Sequence, residues 1–248
     1  MTERNTMGRI ENIDFCIRYL MQQNHTQADI PTELAEKQQM LRALMNIWEP
    51  QPLGEEFLRA QDAELQAQLQ DKGVIEVEES LWQGDITRLM VDAIVNAANS
   101  RGLGCWHPLH ACIDNAIHSA AGLQLRQKCN DILKGGMINT GEAIITPSYN
   151  LPAKYVVHTV GPIIPDGVPT CKQEEQLANC YRNCLGLAEA NGCHSIAFCC
   201  ISTGEFRFPN RRAAEIAVEA CKDATIKVVF NVFKDIDYDI YRELLGKG

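Results

Sequence analysis

Apolar positions recur at helical spacing through the first part of the chain. Ile13, Ile17 and Leu20 predict a helix over residues 9–23. A second is predicted over 32–46, where Thr32 follows Pro31 and can cap it, and Leu34, Leu41 and Leu44 lie close to one stripe. Pro50 and Pro52 interrupt the chain, and residues 54–71 give a third helical stretch rich in Glu, Gln and Leu. Residues 1–72 carry no obvious chemistry. They read as a packed helical extension in preference to a lid or docking element.

From residue 73 the pattern changes. Residues 73–78 alternate like a strand, and 93–97 form a short apolar run that ends in polar residues. Residues 109–134 predict a helix, 142–146 and 154–160 strands, 177–190 a helix, and 195–201 a buried strand. A helix over 211–223, a strand over 225–233 and a short helix over 236–245 complete the chain. Strands alternating with helices predict α/β layers, with helices on the faces of a mixed sheet over 73–248. Ligands of such sheets sit beyond the carboxyl ends of the strands.

The bulk numbers narrow the function classes. At 248 residues the chain holds one domain with a large extension or two small ones. No apolar run approaches the roughly 20 residues that span a bilayer. The first thirty residues, with Glu3, Glu11 and Asp14, lack the basic and then apolar pattern of a signal peptide, so a soluble, cytoplasmic protein is expected. The net charge of -9 argues against general affinity for nucleic acid. It leaves room for an anionic small ligand, because backbone N–H groups hold phosphate without net positive charge. Eleven cysteines are an odd count, which does not suit a disulfide framework. Cys180, Cys184, Cys199, Cys200 and Cys221 sit in apolar or helical contexts and are expected in the core. Cys105 and Cys112 stand apart.

Three polar loops follow strands. In Gly84-Asp85-Ile86-Thr87, Asp85 can cap the following turn or accept a hydrogen bond from an exocyclic amine such as that of adenine. In Asn96-Ala97-Ala98-Asn99-Ser100, the two amides suit a ligand rich in hydroxyls, or a turn closed on its own backbone. The loop from Ser202 to Pro209 lies between a buried strand and a helix, where Gly204 permits a tight turn with consecutive N–H groups facing an anion. Phe206 or Phe208 can pack against a ribose or a base, or simply pack.

With Ile117-His118-Ser119-Ala120-Ala121-Gly122, these loops resemble, in order, the pattern of the macrodomain family, whose α/β/α fold binds ADP-ribose. The resemblance covers about residues 73–245. It implies a three-layer α/β/α macrodomain with a mixed central sheet. It also implies that Asp85 reads the adenine amine, Ile86 supplies a backbone contact, and Asn99 faces the distal ribose. Ser202, Thr203, Gly204, Glu205 and Phe206 would hold the diphosphate and ribose. Arg207 stands where ordinary macrodomains often carry glycine.

Ordinary macrodomains also place a run of glycines after the asparagine pair. This chain reads Gly104-Cys105-Trp106-His107-Pro108-Leu109-His110-Ala111-Cys112-Ile113-Asp114-Asn115. Thiolate and imidazole together suit zinc better than magnesium or calcium. Pro108 is a natural first residue of a helix, on which His110 and Asp114 would share a face. Cys112 would lie in the same first turns, within reach of a loop bearing Cys105. His107, held extended before the proline, is the less favoured ligand, although spacing alone leaves the choice open.

The segment resembles the zinc-dependent, mainly microbial subclass of macrodomains, which carries Cys-x4-His-x-Cys here and a helical extension before the macrodomain. That resemblance assigns Cys105, His110 and Cys112 as zinc ligands. Weaker likenesses to the extension are Ile30-Pro31, residues 41–46 and residues 55–58. Three ligands leave a fourth position open for water or a ribose hydroxyl. Asp114 is then the candidate to orient or deprotonate water. Asn99 and Asn115 would position the ribose, and Ile113 joins the expected binding set. The resemblance implies removal of mono-ADP-ribose esterified to Asp or Glu of a modified protein. It also implies a setting with a sirtuin-like ADP-ribosyltransferase and a lipoyl-carrier protein. The competing readings are a non-catalytic ADP-ribose-binding module and an O-acetyl-ADP-ribose deacetylase. No Gly-x-Gly-x-x-Gly follows a strand, which disfavours a nicotinamide-dependent dehydrogenase. His118 is expected as a core histidine, with tuning of Asp114 as the other reading, and His158 is assigned no role.

Overall fold

The computed structural model describes residues 8–246; the outermost ends of the expected segments, 1–7 and 247–248, lie outside the described residues. Three helices come first: α1 (Arg9–Gln23), α2 (Leu34–Asn46) and α3 (Glu55–Lys72). They bury Ile13, Ile17, Leu20, Leu41, Trp48 and Phe57 in a core of their own, which also takes Leu123 from a later helix. The apolar stripes legible in the sequence therefore face one another and the rest of the protein. Thr32 does not cap α2. The helix starts later, after Glu33, and no side chain caps it.

The remainder is a six-stranded mixed sheet with helices against it. The strands are β1 (Leu81–Gln83), β2 (Ala93–Ala97), β3 (Ala143–Pro147), β4 (Tyr155–Thr159), β5 (Ser195–Phe198) and β6 (Lys227–Val232). Their order is β1-β6-β5-β2-β4-β3, with every pair parallel except β3 with β4. Helices α4 (Ile113–Ala121), α5 (Leu123–Leu133), α6 (Cys171–Ala190), α7 (Asn210–Cys221) and α8 (Asp235–Leu244) complete a three-layer α/β/α arrangement. β2 lies between β5 and β4, and its Ile94 and Val95 are fully buried, as a central parallel strand requires. Among the described residues, no helix is long and apolar enough to cross a membrane.

Three expected elements differ. The alternating residues 73–78 make only an isolated bridge, Ile75 with Leu89, because Ile75 exchanges its hydrogen bonds with a loop (Arg88 O at 2.9 Å, Met90 N at 2.9 Å) instead of a strand. The true edge strand, β1, is three residues long, too short to show a period. The helix expected over 109–134 begins only at Ile113 and breaks at Gly122, whose φ of +100° no ordinary side chain tolerates well. Pro108 sits in a turn. Leu109 follows it with φ +59°, which excludes a right-handed helix at that point. In the other direction, α6 starts six residues before the expected Leu177, because Thr170 and Gln173 form a capping box that the apolar pattern does not reveal.

The first three helices are joined to the sheet unit by buried polar contacts. Arg126 on α5 donates to the carbonyls of Met45, Asn46 and Trp48 at 3.2, 3.0 and 2.7 Å, at and just beyond the end of α2. Gln61 on α3 accepts from the Leu123 N–H at 2.9 Å, at the first residue of α5. The helices pack as an extension, as the sequence suggests.

Candidate active site and metal centre

β2 carries Asn96 and runs into the loop bearing Asn99, so both amides lie at the carboxyl end of the central strand. They converge on one carboxylate. Asn96 Nδ2 donates to Asp114 Oδ1 at 2.8 Å, and Asn99 Nδ2 donates to Asp114 Oδ2 at 3.2 Å. Asp114 is the second residue of α4 and is 5% exposed. Burial pushes its carboxyl up to about 6, against the pull of the Asn96 donor, the Arg126 charge and the Asn99 donor. The result is a fixed, poised carboxylate suited to proton transfer. The rest of the Asn99 side chain is engaged with the Gly104 carbonyl (3.0 Å) and the Arg101 N–H (3.0 Å).

Asn96 also reaches a residue to which the sequence assigns no role. Its Nδ2 lies 3.1 Å from His158 Nδ1 on β4, so that nitrogen accepts. His158 Nε2 then carries the proton and points at Thr146 Oγ1, 3.0 Å away. Burial pulls His158 down to about 3 and drives His118 well below the usual histidine range, so both rings are neutral. The signal for His158 was not local: it arises from β4 pairing with β2, where Asn96 and His158 are register partners.

The metal segment lies beside Asp114. Cys105, His110 and Cys112 bring their ligand atoms within 4.8 Å of one another, with Cys105 Sγ 3.6 Å from His110 Nδ1. All three are half-buried. His107 is exposed and stays outside this group, its ring 5.4 Å from that of His110. Cys112 is not within a helical turn as the spacing suggested. It is the N-cap of α4, and its Sγ accepts from the Asn115 N–H at 3.4 Å. Burial pushes the Cys112 thiol up to about 11, and negative charge on Cys105 and Asp114 acts in the same sense. A cation bound among two sulfurs and an imidazole would relieve that repulsion, so the donor set fits a zinc ion. A second group, His118, Cys129 and His158, meets the same spacing but is fully buried.

The side chain of Asn115, expected beside the ribose, is held by the first helices. Its Nδ2 donates to Asn46 Oδ1 and the His107 carbonyl, both at 3.0 Å, and its Oδ1 accepts from Arg42 and Ser119. Ile113, the first residue of α4, is half-buried.

The other two loops open at the same end of the sheet. Asp85 Oδ1 caps the turn at Ile86–Arg88 by accepting from Thr87 N (3.0 Å) and Thr87 Oγ1 (2.6 Å). The Asp85 side chain is one-third exposed, its second oxygen lies 3.6 Å from Lys72 Nζ, and Ile86 is buried. Phe233, beyond β6, is 76% exposed and its carbonyl accepts from Gln83, two residues before Asp85. This aromatic face at the mouth was not among the expected residues. After β5, Ser202 takes φ +66° and Arg207 φ +58°, and the Arg207 N–H closes on the Gly204 carbonyl at 3.1 Å. Gly204 and Glu205 are exposed, Thr203 and Phe206 half-buried, and Phe208 is core. Gly161, after β4, approaches this loop so closely that a Cβ there would lie 2.0 Å from Ser202 Oγ. The sequence signal was present in Val160-Gly161-Pro162, a glycine at a strand end.

A mixed sheet with these loops at one end, wrapped around a fixed aspartate, defines the macrodomain class. The Macro domain model matches residues 95–217, and the chain belongs to that family. It is 48% identical to the Protein-ADP-ribose hydrolase of Treponema medium, covering 97% of this chain and all of that one. Among solved structures, it resembles the Oceanobacillus iheyensis macrodomain with ADP at 40% identity (TM-score 0.59; 67% of this chain, 89% of that one). It also resembles the Trypanosoma brucei macrodomain in complex with ADP-ribose at 28% identity (TM-score 0.62; 83% and 95%).

Proposed function

We propose that the protein is a zinc-dependent hydrolase that removes mono-ADP-ribose from modified protein side chains, the Asp/Glu ester being the linkage it cuts. The observation that carries this reading is Asp114. It is a buried carboxylate held on both oxygens by Asn96 and Asn99, two residues from Cys112 and so at the edge of the metal group. A module that only binds ADP-ribose has no need of a carboxylate kept poised in this way. The name carried by the Treponema medium relative, aligned end to end, supports the same reading.

In this reading Asp85 accepts from the adenine amine with the Ile86 backbone beside it, and Phe233 offers a flat apolar face to the base. Backbone N–H groups from Ser202 to Phe206 cradle the diphosphate. Asn99 and the first turn of α4 lie toward the distal ribose, with Ile113 and only the backbone of Asn115, whose side chain is held by Arg42 and Asn46. Cys105, His110 and Cys112 would hold the ion, which when bound would supply Lewis-acid polarisation and a more acidic water. Asp114, held by Asn96 and Asn99, would orient a water beside the ribose and take its proton. Water adds across the ester, giving the free side-chain carboxylic acid and ADP-ribose. The half-exposed group 105/110/112 is preferred over the second one because His158 Nε2 in the latter is the protonated nitrogen and already points at Thr146. A cytoplasmic setting, a lipoyl-carrier substrate and a sirtuin-like transferase partner belong to this proposal. So does the division between a helical extension (1–72) and the macrodomain (73–248).

The test is the mass of an ADP-ribosylated carrier incubated with the protein, with and without a zinc chelator. Loss of one ADP-ribosyl group only in the metal-loaded reaction is expected. Asp114→Asn should slow that loss about 10²–10⁴-fold. A mass that never changes while ADP-ribose still binds would make the protein a reader.

A further inference from the structure

Residues 105–112 carry the whole candidate ligand set, yet they form no helix or strand. Their backbone groups must find partners elsewhere. Helix α2 supplies two of them. Asn46 Oδ1 accepts from the Leu109 N–H at 3.0 Å, directly before His110 and at the residue forced to φ +59°. Arg42 Nη2 donates to the His110 carbonyl at 3.2 Å. Arg42 and Asn46 are four apart, on one face of α2. The same two residues grip Asn115. Arg42 donates through Nε (2.9 Å) and Nη2 (2.7 Å) to Asn115 Oδ1, and Asn46 Oδ1 accepts from Asn115 Nδ2. Asn115 in turn holds the His107 carbonyl, and its N–H reaches Cys112 Sγ. Asn46 is 1% exposed and Asn115 is fully buried, so the two amides at the centre of this lattice are shielded from water.

We infer that Arg42 and Asn46 are positioning residues of the metal centre, so that the N-terminal helices complete a site whose ligands all lie in the macrodomain. This inference rests on reading Cys105, His110 and Cys112 as that centre. A free eight-residue loop would have to be ordered by the ion itself. Here His110 is held near both sulfurs beforehand, at the cost of a left-handed Leu109 that α2 stabilises. Partners that orient ligands in this way typically contribute 10–100-fold in metal affinity. The guanidinium matters as a fork, because two of its nitrogens meet one oxygen while the second of them also reaches a carbonyl. A lysine presents a single point of contact.

The experiment is competition for Zn²⁺ between a chromophoric chelator and the full-length protein, stripped of metal, as wild type, Arg42→Ala and Arg42→Lys. The absorption of the Co²⁺-substituted proteins is recorded in parallel. Arg42 is half-buried, so both variants are expected to fold, and urea unfolding of the metal-free forms checks this. Arg42→Ala should raise the Zn²⁺ Kd about 10–100-fold and alter the cobalt–thiolate bands, with Arg42→Lys between it and wild type. Equal zinc Kd values and identical cobalt spectra for wild type and Arg42→Ala overturn the inference while leaving the metal centre standing. Absence of zinc binding by the wild type removes the metal centre, and this inference with it. Should Arg42→Ala unfold, the Arg42→Lys comparison decides in the same way.

Discussion

At the scale of single residues, the closest approach in the site is between Gly161 and Ser202. An alanine at 161 would place its Cβ 2.0 Å from Ser202 Oγ and 2.8 Å from Ile201 Cγ2. Rotating the serine hydroxyl would relieve the first clash but not the second, because Ile201 is fully buried. The loop after β5 therefore has to move, at an overpacking cost of about 1–3 kcal/mol. Since that loop is the proposed diphosphate cradle, Gly161→Ala should weaken ADP-ribose binding about tenfold or more, which calorimetry would read. The Asp114 network lies on other residues and should be untouched, so binding suffers before any chemical step. An unchanged Kd would mean that the diphosphate does not rest on this loop.

At the scale of elements, α5 is pinned to α2 by one side chain. Arg126 gives three hydrogen bonds to carbonyls at and just beyond the end of α2, and its guanidinium lies 4.4 Å from the Trp106 ring centre. Arg126→Met keeps the bulk and removes the donors, leaving the Asn46 and Trp48 carbonyls without this partner. A loss of at least about 2 kcal/mol in chemical denaturation is expected, and a change below about 0.5 kcal/mol would show that Arg126 does not hold the extension in place. Nothing in the sequence marks Arg126, because an arginine on an amphipathic helix reads as a solvated face. The same limit explains the other misses. The stripe of α1 is local, so its bounds follow from Ile13, Ile17 and Leu20 alone. The loop at 105–112 depends on Arg42 and Asn46, more than sixty residues upstream, so Pro108 suggested a helix start that α2 prevents. The motif residues Asn96, Asn99 and Asp114 do meet, and Cys105, His110 and Cys112 do cluster, because each set lies on one short stretch. Asn115 sits on that stretch too, but its partners on α2 could not be seen from it.

At the scale of the whole molecule, two buried neutral histidines tie the fold to pH. His118 and His158 lie beneath Asp114 with ring centres 5.6 Å apart, and burial depresses both, His158 to about 3. An unfolded histidine titrates near 6.5. Below that value the unfolded chain takes up protons that the folded core refuses, so stability is present above about pH 6.5 and lost as pH falls towards the folded pKa. Each histidine contributes a loss of about 1.4 kcal/mol per pH unit across that window. Asp114 acts in the opposite sense, since its raised carboxyl binds a proton more readily in the folded state. One carboxyl against two histidines leaves a net loss on acidification. His158→Gln isolates one contribution. It should cost stability at pH 7, where the hydrogen bonds to Asn96 and Thr146 are disturbed, yet flatten the pH profile. In urea unfolding of the metal-free protein, the gap between wild type and variant should narrow by about 1.4 kcal/mol per unit below pH 6.5. Two parallel profiles would mean that His158 takes up its proton without unfolding. The strand at the centre of the site would then have to accommodate a charge beside Asn96, which the full burial of His158 argues against.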